Sequence, residues 1–145
     1  MRRALLGGVE LDDDRTRVDV AAVHKFVSEE SYWARGRAFA EVARLIESAA
    51  RVVGLYHGAE QIGFARIVSD GASIAYLADV YVLAGWRGRG LGTELVRECV
   101  EEGPFARTRW VLHTLDMHAL YRRFGFGEPG ERLMERPARP AGTDG

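Results

Sequence analysis

The sequence is poor in several residue types and patterns that would signal particular classes of protein. It has one cysteine, one lysine and four prolines. The lone Cys99 excludes an intrachain disulfide, which fits a reducing compartment, and its place on the apolar face of a predicted helix is typical of a buried small hydrophobe. No run of 18 apolar residues and no apolar N-terminal signal region is present, so we expect a cytoplasmic protein.

The charges are almost balanced. The formal net charge is −1 at pH 7, so there is no global electrostatic attraction to nucleic acid or to an anionic membrane. The run Asp12–Asp14 predicts a solvated acidic turn, because contiguous carboxylates do not easily enclose one metal ion. We therefore expect neither a metal site nor a nucleic-acid or membrane partner.

The length of 145 residues predicts one domain with a real core. We place this domain at residues 1–136, begin it with a loose leader over residues 1–8, and expect residues 137–145, rich in Pro and Gly, to be a flexible tail.

The patterns of apolar residues predict a mixed order of helices and strands. The predicted helices cover Asp19–Ser28, Arg37–Ser48, Leu91–Glu102 and Met117–Phe124. The predicted strands are Val9–Leu11, Val52–Tyr56, Gln61–Val68, Ser73–Leu83, Arg109–Thr114 and Glu131–Glu135. The three central strands have short connections and should pair antiparallel, whereas Arg109–Thr114 follows a crossover helix and should lie parallel to its neighbour.

The stretch from Tyr76 to Thr93 combines a strand, a glycine-rich loop and the start of a helix. The amides of a first helical turn have no intrahelical partners, and the helix dipole adds partial positive charge at the same end. Glycines let the backbone turn tightly and let a bulky anion approach it. Arg87 and Arg89 add full charges, so this stretch predicts a phosphate or pyrophosphate site.

Two short motifs together carry a resemblance to a known family. Residues 87–92 (Arg-Gly-Arg-Gly-Leu-Gly) fit the pattern Arg/Gln-x-x-Gly-x-Gly/Ala. Residues 120–126 (Leu-Tyr-Arg-Arg-Phe-Gly-Phe) follow about thirty residues later, after one strand. With this order of elements, the chain resembles the GCN5-related N-acetyltransferase (GNAT) family.

The resemblance implies an α/β (α+β) fold. Its sheet would be mixed, mostly antiparallel, with about six to seven strands flanked by about four helices and a V-shaped splay between the central parallel strands. It also implies acetyl-CoA as the acyl donor. The residues that would bind acetyl-CoA are Val80, Tyr81 and Val82 on the strand, Arg87, Gly88, Arg89, Gly90, Leu91, Gly92 and Thr93 at the loop and helix, and Thr114, where relatives often have Asn.

Two residues are the catalytic candidates. The resemblance implies that Tyr121 lies near the thioester sulfur as a general acid, and a phenol stays protonated at pH 7. Asp79 stands where many relatives carry an acidic residue, so it is a candidate general base or anchor for the acceptor ammonium. A structural carboxylate bonded to backbone or to an arginine is the equally weighted alternative for Asp79.

The resemblance implies that the acceptor is a primary amine of a small molecule or peptide, which attacks the acetyl group directly in a ternary complex. Residues 31–37 form either an inter-helix loop that packs its aromatics on the core or one wall of the acceptor pocket. The substrate-binding candidates are Tyr32, Trp33, Arg35 and His113, with His118 as a further candidate base or relay. A sensor that binds acyl-CoA with little catalysis is the alternative function. Homodimers are common among relatives.

Overall fold

A computed structural model describes residues 1–139 and shows one mixed sheet of six strands in the order β1-β2-β3-β4-β5-β6. Neighbouring strands pair antiparallel except β5 and β6, which are parallel. The strands are β1 Arg2–Ala4, β2 Val9–Asp12, β3 Arg51–His57, β4 Glu60–Ser69, β5 Ile74–Val82 and β6 Arg109–Leu112. The predicted meander and the predicted parallel crossover are both confirmed.

Helices cover both faces of the sheet. They are α1 Val20–Lys25, continued by a π-helical turn over Phe26–Glu30, α2 Phe39–Ser48, α3 Leu91–Arg97, continued over Glu98–Glu102, and α4 His118–Arg122. The Asp19 carboxylate accepts a hydrogen bond from the Ala22 N–H at 3.0 Å and caps α1, as its position predicts. None of the helices within residues 1–139 has the length and apolar character needed to cross a membrane.

Successive side chains of each strand point to opposite faces of the sheet, so the core forms two clusters, one on each face. On one face, Val23, Val42 and Ile46 from α1 and α2 pack with Phe64 and Tyr81 of the sheet. On the other face, Leu95, Val96 and Cys99 of the α3 helical segment pack with strand residues and with Tyr121. The sheet therefore separates an α1–α2 side from an α3–α4 side.

The strands β5 and β6 pair over only part of their length. The parallel ladder runs from Ile74 opposite Arg109 to Leu77 opposite Leu112, and β5 then continues to Val82 paired with β4 but not with β6. In the same region two β5 residues, Asp79 and Val80, face the single β4 residue Ala65, which is a β-bulge. The strands thus part at Leu77, which is the expected V-shaped splay.

Three predictions are wrong in this structure. The leader is partly a strand, because β1 pairs antiparallel with β2, and Arg2 and Glu10 form an ion pair across it. The acidic turn is solvated only in part: Asp14 is exposed, but Asp12 is 7% exposed and accepts a hydrogen bond from Arg17. Asp13 likewise pairs with Arg51 and the N-terminus.

The third wrong prediction is the strand at Glu131–Glu135, which forms no strand. Leu133 and Met134 are adjacent and exposed to 44% and 92%, so the segment lacks the alternation of a half-buried strand. Residues 140–145 of the predicted tail lie outside the described residues.

Candidate active site

The glycine loop connects β5 to α3 with two left-handed residues. Gly88 has φ of 80° and Gly90 has φ of 76°, conformations that side chains with a Cβ rarely adopt. A Cβ at either position would meet no atom within 4 Å, so the space in front of the loop is open. Gly90 precedes Leu91, the first residue of α3, so the free N–H groups of Leu91, Gly92 and Thr93 start at the loop.

Three arginines stand beside this loop. The Nε of Arg87 donates to the carbonyl of Val82 at 2.9 Å, and the guanidinium of Arg89 lies 4.6 Å from the centroid of the Trp86 ring. Arg123 of α4 donates to the hydroxyl of Thr93 at 3.4 Å. The loop and the start of α3 therefore combine free amide donors with fixed positive charge, a combination suited to a phosphate group.

The end of β5 offers an unpaired backbone edge. Leu83 donates its N–H to the Ile62 carbonyl on β4 at 2.8 Å, so the alternation of an antiparallel ladder directs the peptide groups of Val82 to the opposite side. The bond from Arg87 to the Val82 carbonyl agrees with this direction. The Tyr81 side chain instead stacks on Phe26 at 3.9 Å within the core. The contacts thus leave the backbone of this strand, and not the Tyr81 ring, facing the splay.

Tyr121 lies on α4 and is 8% exposed. Burial raises the pKa of its phenol to about 12. No described residue forms a hydrogen bond with its hydroxyl, while its carbonyl accepts from the N–H groups of Phe124 and Phe126 at the end of the helix. Thr114 precedes this helix, and its hydroxyl accepts from the Met117 N–H at 3.0 Å. The structure therefore gives Thr114 a local capping contact and leaves the Tyr121 hydroxyl free to donate.

Asp79 sits in the β5 bulge with φ of 52°, the one non-glycine residue with positive φ among residues 1–139. Its carboxylate is 6% exposed and accepts from Trp33 Nε1 at 2.9 Å, from Arg66 Nε at 2.8 Å and from Arg37 Nη1 at 3.3 Å. A carboxylate has about four lone-pair sites, and these donors occupy most of them. The contacts favour the structural alternative for Asp79; its role as base or anchor stays a prediction.

Of the residues predicted to bind the acceptor, Tyr32 and Trp33 contact each other, whereas Arg35 and His113 contact other residues. The Tyr32 hydroxyl accepts from the Leu115 N–H at 2.8 Å and so joins the α1–α2 loop to the segment after β6. Its ring meets Trp33 edge to face at 5.1 Å. Arg35 donates to the Ser31 carbonyl at 3.2 Å, which keeps it within its own loop.

His113 follows the last paired residue of β6. One ring nitrogen contacts the Tyr76 hydroxyl and the other contacts the Glu135 carboxylate. Burial, and then the Glu135 charge, raise the pKa of Tyr76. His118, the other predicted histidine, is the first residue of α4 and is exposed.

Sequence reasoning missed three residues that contact the predicted ones, namely Arg66, Tyr76 and Glu135, whereas Arg37 lies within the predicted segment 31–37. The signal for Arg66 was present, because it is the one charge within the apolar run Ile62–Val68 of β4. The others meet their partners across distant parts of the chain, which no local pattern reveals.

A cavity of about 1050 Å³ lies along β6 and α4 and is lined by Thr114, Tyr121 and the segment Gly125–Arg136. None of its lining residues belongs to β5 or to the glycine loop, so it runs along the free edge of β6 and not between the two parallel strands. Within residues 1–139, no three His, Cys, Asp or Glu side chains come together as a metal site.

Comparison with known proteins decides the family. The family described as the acetyltransferase (GNAT) domain matches residues 48–128, which is more than half of the chain. The chain belongs to the GNAT family. The match includes the β5–α3 glycine loop, the splay and Tyr121, and it ends before the Glu131–Glu135 segment that forms no strand.

Solved structures agree with this GNAT assignment. A protein from Xanthomonas campestris pv. campestris, provisionally described as a GNAT acetyltransferase, is 34% identical, with a TM-score of 0.84 and coverage of 90% of this chain and 93% of that one. A provisionally named acetyltransferase from Deinococcus radiodurans is 25% identical, with a TM-score of 0.71 and 94% coverage of both chains.

A curated protein of Gibberella zeae, also provisionally named as an acetyltransferase, is 33% identical over 69 residues. That match covers 46% of this chain and 39% of the fungal protein, so the chain spans well under half of that relative. The family is therefore established for this GNAT chain, while its acceptor is not given by any of these relatives.

Proposed function

We propose that the protein is an acetyl-CoA-dependent N-acetyltransferase that transfers the acetyl group to a primary amine by direct attack in a ternary complex. The observation that carries this proposal is the pairing of an open, left-handed glycine loop with a buried Tyr121 whose hydroxyl has no partner among the described residues. Membership of the GNAT family supports the same reaction.

The donor would bind along the end of β5 and the start of α3. The amides of Leu91, Gly92 and Thr93 and the nearby arginines would hold the pyrophosphate. The outward-facing peptide groups of Val80 and Val82 would pair with the pantetheine arm as an added strand. This arrangement would put the thioester in the splay, where β6 no longer occupies that edge of β5.

In the chemical step, the amine nitrogen bonds to the acetyl carbonyl carbon and the carbon–sulfur bond then breaks. The thiolate that leaves needs a proton, and Tyr121 supplies it from a phenol that burial keeps protonated. A backbone N–H at the splay, that of Val82 or a neighbour, would stabilise the oxyanion of the intermediate. Tyr121 would recover its proton from solvent after CoA leaves.

The amine must first lose a proton. An amine with an ordinary pKa of ~10.4 costs roughly 4.6 kcal/mol to deprotonate at pH 7. Asp79 already accepts from three side chains, so taking this proton would displace one of them. His113 is the alternative group for accepting this proton. It lies at the point where β5 and β6 part, and its ring contacts Tyr76 and Glu135.

The test measures release of CoA thiol over a panel of amines. We expect Tyr121→Phe to lower kcat at least tenfold with little change in acetyl-CoA affinity, because the phenyl ring still fills the site. Tyr56→Phe is the matched control: Tyr56 is also a buried tyrosine, its hydroxyl lacks a partner, and it lies on β3 away from the splay.

The pH dependence of kcat is a second test of Tyr121 as the general acid. A phenol with a pKa of about 12 donates its proton throughout the range up to pH 10, so we expect no loss of kcat from Tyr121 in that range. Tight acetyl-CoA binding without turnover on any amine would instead favour an acyl-CoA sensor. Equal rates for Tyr121→Phe and wild type would reject Tyr121 as the acid.

The single domain over residues 1–136 and the homodimer stay proposals. The continuity of the sheet from Arg2 to Leu112 supports one domain. Light scattering on the purified chain tests the dimer.

A further inference from the structure

Two guanidinium groups flank the acceptor side of the splay, and Asp79 aligns both. Arg66 on β4 lies opposite Ala78, one residue before the bulge, and its side chain is 11% exposed. Arg37, from the segment before α2, is 21% exposed. Trp33 completes the group by donating to the same carboxylate. Asp79 carries one negative charge between two positive ones, so the group as a whole is cationic.

The donors of Arg66 are mostly unused. A guanidinium has five N–H donors, and of these Arg66 uses only its Nε, which donates to the Asp79 carboxylate at 2.8 Å. Within residues 1–139 no side chain or carbonyl accepts from its two terminal amino groups, and Arg37 likewise uses only Nη1. Neither terminal nitrogen of Arg66 is among the described side-chain atoms that are buried without a partner, so both are accessible to solvent and free to bind an anion.

A carboxylate fits this site. The two terminal amino groups of an arginine form a planar fork that binds the two oxygens of a carboxylate. The Nε bond to Asp79 fixes the plane of the Arg66 guanidinium in advance, which reduces the entropy lost when the anion binds. A single negative charge also balances the net charge of the group.

The position of Arg66 along the sheet suits a residue that binds the acceptor. At about 3.3 Å per strand residue, Ala78 lies roughly 7 Å along β5 from Val80, where the proposed pantetheine site begins. A small molecule with its carboxylate on Arg66 would therefore reach the splay with a nearby amine. A polyamine or a lysine-rich segment would place further positive charge against Arg37 and Arg66, which costs energy.

We propose that the acceptor is an amine that also carries a carboxylate, such as a free amino acid, and that Arg66 with Arg37 binds this carboxylate. The proposal rests on the proposed acetyl transfer and names the substrate class of that same site. Asp79 then acts as a positioning residue, because it orients the two guanidinium groups.

The test compares pairs of acceptors that share one amine. Each proteinogenic amino acid is assayed beside its carboxamide, together with linear diamines and aminoalkyl phosphonates, by CoA release from the full chain. We expect at least one amino acid to exceed its carboxamide tenfold or more in kcat/KM, and diamines to be poor acceptors. If aminoalkyl phosphonates reach the same kcat/KM as the amino acids, the site does not prefer a carboxylate to other anions, and that part of the proposal is overturned.

Variants then test whether Arg66 causes the preference for the amino acid over its carboxamide. Arg66→Gln should bring the ratio of acid to carboxamide close to one, and Arg66→Lys, which keeps the charge near Asp79, should leave part of it. Since the ratio is measured within one protein, a change in folded fraction does not alter it. Arg44→Gln on the exposed face of α2 is the control and should keep the full ratio.

A binding measurement separates this inference from the transfer reaction. Calorimetry in the presence of CoA should show amino acids binding to wild type, and binding at least tenfold weaker to Arg66→Gln. If amino acids bind in this way but no amine is acetylated, the proposed acetyl transfer is wrong and the proposed carboxylate site is supported. If carboxamides or diamines are acetylated as well as the acids, or no amino acid binds, the inference is overturned.

Discussion

Gly90 offers a sharp test of the pyrophosphate site through the change Gly90→Glu. A residue with a Cβ at φ of 76° costs about 1–2 kcal/mol of folding free energy, because the left-handed conformation crowds the side chain. For a chain of this size that corresponds to a fall in Tm of about 2–8 °C. Nothing lies within 4 Å of the new Cβ, so no clash inside the protein adds to this cost.

The effect on acetyl-CoA affinity is separate and larger. A carboxylate about 6 Å from a doubly charged pyrophosphate is repelled by about 1.4 kcal/mol at a dielectric constant of 80 and by about 5.5 kcal/mol at 20. The expected loss of affinity is therefore about tenfold or more at low salt. Gly90→Gln has the same bulk without the charge, so the ratio between these two variants isolates the electrostatic part, which should shrink as salt rises.

Gly71→Glu is the matched control for backbone strain. Gly71 has φ of 81° in the β4–β5 turn, and a Cβ there also meets nothing within 4 Å. Calorimetric titration of acetyl-CoA, with Tm measured in parallel, should show a similar loss of Tm in both glutamate variants and a loss of affinity at Gly90 alone. If Gly90→Glu binds acetyl-CoA as tightly as Gly71→Glu, the loop does not hold the pyrophosphate.

Two predictions concern stability. Arg51 and Glu98 form a buried ion pair at 2.9 Å, and Arg3 lies 3.4 Å from the other oxygen of Glu98. Arg51→Met therefore leaves the buried carboxylate with the longer of these two contacts and should cost about 3 kcal/mol in urea unfolding, against at most about 1 kcal/mol for Arg2→Met in an exposed pair; equal losses would contradict the role of burial. Burial raises the pKa of Cys99 to about 12 from 9.0, so above pH 9 the unfolded chain releases a proton that the folded chain keeps, and unfolding free energy falls as pH rises. Cys99→Val should therefore flatten that fall between pH 9 and 11 by up to about 1.36 kcal/mol per pH unit, and an unchanged slope would show that Cys99 does not titrate in this way.

The glycine loop and the helix that follows it were predictable because their causes are local. Left-handed glycines, a first turn of free amides and an apolar stripe on α3 are all written in consecutive residues. The same holds for the Tyr121 segment, whose helix α4 is followed by a turn that contains Gly125 with φ of 85°. The Glu131–Glu135 strand failed for the complementary reason: strand formation depends on a partner edge and on which side chains become buried, and consecutive residues do not reveal either.

The sequence by itself therefore determined the family, the order of elements from β2 to α4, the glycine loop before α3 and the position of Tyr121 on α4. Only the tertiary structure decided what Asp79 contacts, because its partners Trp33, Arg37 and Arg66 lie on a loop, before a helix and on another strand. A carboxylate has the same local pattern whether it takes a proton or holds two guanidinium groups. The difference comes from which donors the folded chain brings to it, and those donors are 13 to 46 residues away.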